Sequence, residues 1–183
     1  MKYYIYPCSS QEDAPYLILS SGLGGHANFW NPQLESLSTH FNVVTYDHEG
    51  CHLDSALLPS HYHIRDMANQ VLHLLEHLQI HEFHMIGHAL GGIIGMELAK
   101  QLQSSSITML SLTLINAWDE LDAHTQKCFD ARIALLASAG AEAYVRAQAL
   151  FLYPPAWISQ NHSHIKSTED IQLQGFPPKT NVF

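Results

Sequence analysis

The sequence predicts an α/β fold: a mainly parallel sheet with helices on both faces, three layers in all. Three observations carry that prediction. Short apolar runs without polar alternation suit strands buried on both faces. Stretches with a 3.6-residue apolar period lie between them. The two kinds of segment alternate along the first 118 residues, which is the pattern of crossover connections in a parallel sheet.

Pro15 to Ser20 is the first such run, and it stops at Ser21-Gly22-Leu23-Gly24-Gly25. Asn31-Pro32 offers an N-cap and a proline at the first helical position, opening a short helix through Leu34 and Leu37. Phe41 to Asp47 is a β-branched strand, followed by a turn at Glu49-Gly50-Cys51-His52. From Asp66 the period changes: Met67, Val71, Leu74, Leu75 and Leu78 share one helical stripe. Phe83 to Ile86 is a strand running into Gly87-His88-Ala89-Leu90-Gly91. Gly92 to Ala99 continues as a nearly all-apolar, hence buried, helix. Gly91, Gly92 and Gly95 each weaken it by about 1 kcal/mol relative to alanine, so they are expected where the helix closely approaches sheet and loop. Ser104 to Ser106 marks a turn, and Leu110 to Asn116 a further strand.

After Trp118 the character changes. Ala123 to Ala149 is alanine-rich and helical, with a break at Ser138-Ala139-Gly140, and Tyr153-Pro154-Pro155 ends it. No strand signal returns between Ala117 and Phe183, so the sheet is expected to lack its last strands. The expected division is 1–118 for the sheet core, 119–160 for a helical, cap-like region and 161–183 for an irregular tail.

Composition narrows the partners. Only 8 Lys and Arg in 183 residues, with a net charge of −9, give no basic stripe for nucleic acid and no polybasic membrane patch. No apolar run approaches the roughly 20 residues that cross a bilayer. Met1 to Pro7 is aromatic and broken by proline, unlike a signal peptide. Cys8, Cys51 and Cys128 are scattered, as expected of reduced thiols in a cytoplasmic protein. Among the 14 histidines, His73, His77 and His81 recur at a spacing of four. Leu74 stands where a zinc-binding HExxH helix needs glutamate, so exposed histidines are expected there and no metal site. A small-molecule substrate and no cofactor follow.

Strand, Gly-x-x-x-Gly and helix in that order make the sharp turn that presents a nucleophile at the carboxyl edge of a sheet. Its outer glycines are steric requirements, since side chains there collide with the adjoining strand and helix. With Gly22 to Gly25 closing the first strand, the motif resembles that of the α/β-hydrolase superfamily. Asn116-Ala117-Trp118, Ala123-His124-Thr125, Cys128-Phe129 and Phe151 to Trp157 extend the resemblance to the branch assigned to carbamate hydrolysis in uracil breakdown. The resemblance implies oxyanion donors at the backbone amides of Leu23 and Leu90. Gly22, His88, Trp118, Tyr153 and Trp157 are candidates for substrate binding, with Phe151 joining the three aromatic ones as pocket wall or cap. Two departures stand out. Glu49-Gly50-Cys51-His52 replaces the Arg-Gly-x-Gly usual in related hydrolases, removing a bidentate anchor. The superfamily's acid and histidine follow late strands that this sequence lacks, and His162 and His164 sit outside any strand–glycine context.

Ala89 occupies the nucleophile position and has neither hydroxyl nor lone pair, so no covalent intermediate forms through it. Ser21 and Cys51 lack a positioned base and read as structural. What the motif retains is non-covalent chemistry: two amide donors, a polar pocket and an attacking water. The implied function is hydrolysis of carbamate to ammonia and carbon dioxide. The alternative is a ligand-binding protein that kept the pocket, or an inactive truncated homologue, in either case without turnover.

Overall fold

The computed structural model describes residues 1–11, 13–51 and 55–176. Its first compact unit comprises Met1–Cys51 and Leu58–Asp119, and a second contains the late helices. Five strands form one sheet: β1 (Tyr3–Tyr6), β2 (Tyr16–Ser20), β3 (Asn42–Tyr46), β4 (Glu82–His88) and β5 (Thr108–Ile115). Their spatial order is β1-β3-β2-β4-β5. β2, β3, β4 and β5 are parallel, with Leu17 opposite both Val43 and His84. β1 runs antiparallel on the outer edge, Tyr3 opposite Tyr46.

Period-two alternation divides the strands between two cores. Ile18, Val44, Phe83 and Met85 face one way and pack with helices α2 (Ile64–His77) and α3 (Leu90–Gln101), through Val71, Leu75, Ile94 and Leu98. Leu17, Leu19 and Val43 face the other way. They meet Trp30, from a 3₁₀ turn at Ala27–Trp30, together with Leu34 and Leu37 of α1 (Asn31–Leu37). The sheet with helices on both faces is therefore present as expected.

α3 uses its glycines as spacers. A methyl group on Gly91 would stand 2.2 Å from the Ser20 carbonyl oxygen, one on Gly92 2.4 Å from the Ala117 methyl, and one on Gly95 2.7 Å from a Leu112 methyl. These approaches seat the helix directly over β2 and β5.

The second unit contains α4 (Ala123–Leu152), α5 (Pro155–Gln160) and α6 (His162–Gln174). Gly140 breaks α4 with φ 81° and ψ −176°, a backbone conformation essentially restricted to glycine. Asp122 caps α4, its carboxylate accepting from the Thr125 amide at 2.7 Å. α6 packs on α4 through buried Val145, Ala149 and Ile165. No helix among the described residues is long and apolar enough to cross a membrane.

Three expectations need correction, and one strand goes beyond them. β1 was not foreseen. The segment expected to be irregular from 161 carries α6 instead, although its residues 177–183 lie outside the described ones. Asn31 and Pro32 are the first two residues of α1, because the preceding 3₁₀ turn makes Trp30 the cap. α3 starts at Leu90, inside the glycine motif rather than after it.

Candidate active site

β4 delivers the chain to Ala89, which adopts φ 49° and ψ −114° before α3 begins at Leu90. The turn is fixed from three sides. The Ala89 amide donates to the Ile115 carbonyl of β5 at 2.8 Å, and the Ala89 carbonyl accepts from the Gly92 amide at 2.9 Å. Gly87 has no room for a side chain: a methyl there would lie 2.5 Å from the Gly91 carbonyl oxygen and from the Gly92 backbone. The strained turn of a nucleophile-bearing motif is thus intact around a half-buried alanine methyl.

The glycine loop after β2 lies beside it. A methyl group on Gly22 would come within 3.0 Å of His88 Nδ1 and 3.4 Å of the Ala89 methyl, so Gly22, His88 and Ala89 form one cluster. The loop closes as a turn in which the Gly25 amide donates to the Gly22 carbonyl at 3.0 Å. Leu23 and Gly24 form its exposed apex, Gly24 with φ 91°. That turn bond uses the Gly25 amide, not the Leu23 amide. Leu90 is the first residue of α3, so its amide has no acceptor within the helix.

His88 belongs to the face of β4 that looks toward α1. Its ring stacks on Phe29 at 4.8 Å and 29°, and Nδ1 is buried without a hydrogen-bond partner among the described residues. Desolvation lowers its pKa, so the ring is neutral near pH 7.

Two buried polar residues at the carboxyl end of β3 support the loop, and sequence reasoning passed over both. Asp47 accepts from the Ala27 amide at 2.7 Å, which fixes the start of the 3₁₀ turn. His48 Nε2 donates to the Ser21 carbonyl at 3.0 Å, while its amide donates to the Gly25 carbonyl at 2.8 Å. Burial drives the pKa of His48 down. The readable signal was position, since polar residues at a strand's carboxyl end lie where open α/β sheets bind ligands.

Trp118 is half-buried, just after the Ala117 methyl that meets Gly92. Tyr153 and Trp157 belong to the second unit, where their rings stack at 4.2 Å and 23°. Burial pushes the Cys51 thiol up to about 11, which leaves no reactive thiolate at neutral pH. Glu49, in place of the usual arginine, accepts from the Gln70 amide at 2.5 Å. His52 lies outside the described residues. His73, His77 and His81 are exposed, with His77 Nε2 3.2 Å from the Tyr3 hydroxyl. The described residues contain no group of three or more side chains able to hold a metal ion.

The α/β-hydrolase fold family matches residues 15–147. RutD of Acinetobacter baylyi, a provisional carbamate hydrolase by name, is 51% identical over the whole chain, which covers 68% of that relative. RutD of Agrobacterium fabrum, named in the same way, is 45% identical over 93% of the chain and 64% of its own length. The chain thus spans about two thirds of the length of the curated relatives it matches. A hydrolase from Pseudomonas aeruginosa superposes with a TM-score of 0.77 at 28% identity, over 98% of this chain and 64% of that one. An enol-lactonase from Burkholderia xenovorans shares the fold, with a TM-score of 0.78 at 23% identity over 98% of this chain and 66% of its own. By its glycine-walled turn, its sheet and these likenesses, the chain belongs to the α/β-hydrolase family and, within it, with the RutD proteins.

Proposed function

We propose that this chain carries the core of a carbamate hydrolase that works without a covalent intermediate. One observation supports it most: the turn that normally presents a nucleophile is kept, strain included, around Ala89. Backbone strain of this kind costs on the order of 1–3 kcal/mol and persists where the surrounding structure imposes it. Here its remaining use is to point the Leu90 amide, at the positive end of α3, toward the space beside Gly22. The Leu23 amide supplies the second donor.

In this reading the water oxygen bonds to the carbamate carbon. The amide pair takes up the charge developing on the carbamate oxygen, and the C–N bond then breaks. The second proton of the attacking water ends on nitrogen. Carbamate and water thus give ammonia and bicarbonate, which dehydrates to carbon dioxide. An oxyanion hole and binding alone supply about 10³–10⁴-fold over water in enzymes stripped of their triads. Carbamate breaks down unaided, so a modest acceleration is the appropriate expectation. This reading sets the reaction in pyrimidine breakdown, with the likeness to RutD as its support.

The test is the time course of ammonia release from freshly dissolved carbamate, with and without protein, beside labelling by a serine-directed fluorophosphonate. Faster release without labelling is expected. Release at the spontaneous rate refutes the proposal. The missing nucleophile also favours a second reading, a binding protein without turnover. Ligand-dependent thermal stabilisation with no excess ammonia is its signature.

A further inference from the structure

The second unit contains two arginines in markedly different surroundings. Arg146 is saturated with carboxylates: it donates to Glu142 at 3.0 Å and Glu169 at 3.2 Å, and Asp170 lies 3.6 Å away. Arg132, on the same helix before the Gly140 break, has no carboxylate partner among the described residues. Its guanidinium carbon lies 5.2 Å from the Phe129 ring centre, 5.7 Å from that of Tyr144 and 6.0 Å from that of Phe151. Among the described residues its one hydrogen bond runs from Nη2 to the Tyr144 hydroxyl at 3.3 Å. Nε is buried with no acceptor among the described residues.

Guanidinium retains its charge in proteins and presents five N–H donors in a rigid plane. Aromatic rings attract the cation as a whole, but they do not satisfy its N–H edge as an acceptor does. A cation partly withdrawn from water is a costly arrangement that an anion at its terminal edge offsets, while the buried Nε–H lies outside that edge. Arg132 is only half-buried, and beyond the Tyr144 contact its terminal Nη1–Nη2 edge makes no hydrogen bond among the described residues. A carboxylate matches that edge in plane and spacing. The surrounding rings restrict the side chain beforehand, which lowers the entropy cost of binding.

We propose that Arg132, with Phe129, Tyr144 and Phe151 around it, is a binding site for a small planar carboxylate. The proposal concerns the second unit alone and does not depend on turnover at Ala89. Its test is a titration of the full chain with sodium acetate, chloride being exchanged to hold ionic strength constant. The readouts are the Arg132 Nε–H resonance and the melting temperature. A saturable shift of that resonance with a rise in Tm is expected in the wild type and in Arg146→Gln. Arg132→Gln should lose the response, and Arg132→Lys, a point charge without the fork, should weaken it by on the order of tenfold. If Arg132→Gln does not fold, the wild-type resonance and Arg132→Lys decide. No saturable shift, an equal Tm response in Arg132→Gln, undiminished affinity in Arg132→Lys, or an equal response to tetrahedral sulfate overturns the proposal.

Discussion

Ala89 holds a backbone conformation that glycine adopts freely and alanine does not. If the position serves through its backbone alone, Ala89→Gly should keep the hydrolytic rate and raise stability, by up to about 1 kcal/mol. Denaturant midpoints together with ammonia release check both halves. Gly91 is the opposite case. Its methyl would meet the Ser20 carbonyl oxygen at 2.2 Å, and neither backbone can yield easily. Gly91→Ala should cost about 2–3 kcal/mol, as overpacking typically does, read from the same midpoints. His48 gives the loop a pH dependence. Burial lowers its folded pKa, so below its ordinary value of about 6.5 the unfolded chain binds more protons. Stability should therefore be fully present above that pH and decline as pH falls toward the folded value. His48→Gln should flatten the decline, leaving the contribution of His88, and an unchanged slope would show that His48 is not its origin.

Among the elements, α4 turns on a single glycine. A methyl on Gly140 would meet nothing within 4 Å, so a substitution there is opposed by conformation and not by space. Gly140→Ala should destabilise the second unit by on the order of 1–3 kcal/mol, and circular dichroism melts will show it. That break was readable in advance because a glycine interrupts an alanine-rich helix. The parallel strands were equally readable, since Leu17 to Leu19 and Val43 to Val44 are buried on both faces and cannot alternate. β1 escaped because an edge strand of four residues, three of them tyrosines, is only partly buried and bears no continuous apolar run. α6 escaped for a related reason: Ile165 is its only buried residue, too little to write a stripe. At the site, the glycines announced the turn and the loop. Asp47 and His48 stayed hidden because what they do depends on partners twenty or more residues away, Ala27 and Ser21.

On the scale of the whole chain, the sheet of the described residues ends at β5. That strand reads Thr-Met-Leu-Ser-Leu-Thr-Leu-Ile, with neither charge nor proline, and Leu110, Leu114 and Ile115 are 48%, 44% and 40% exposed. Edge strands are usually blunted by lysine or proline, and this one is not. The 183-residue chain should therefore associate as its concentration rises, and Leu114→Lys should return it toward monomer in light scattering. A wild type that stays monomeric at every concentration contradicts this. The net charge of −9 opposes such association only weakly at physiological salt, where screening is effective beyond about 8 Å.

The central claim is that a turn built for a nucleophile works here without one. Its most direct test is the initial rate of ammonia release from carbamate by the wild type and by Ala89→Gly, each set against the spontaneous rate. The account predicts that both exceed the spontaneous rate, by similar factors. Neither exceeding it would show that Ala89 marks a turn that has lost its chemistry.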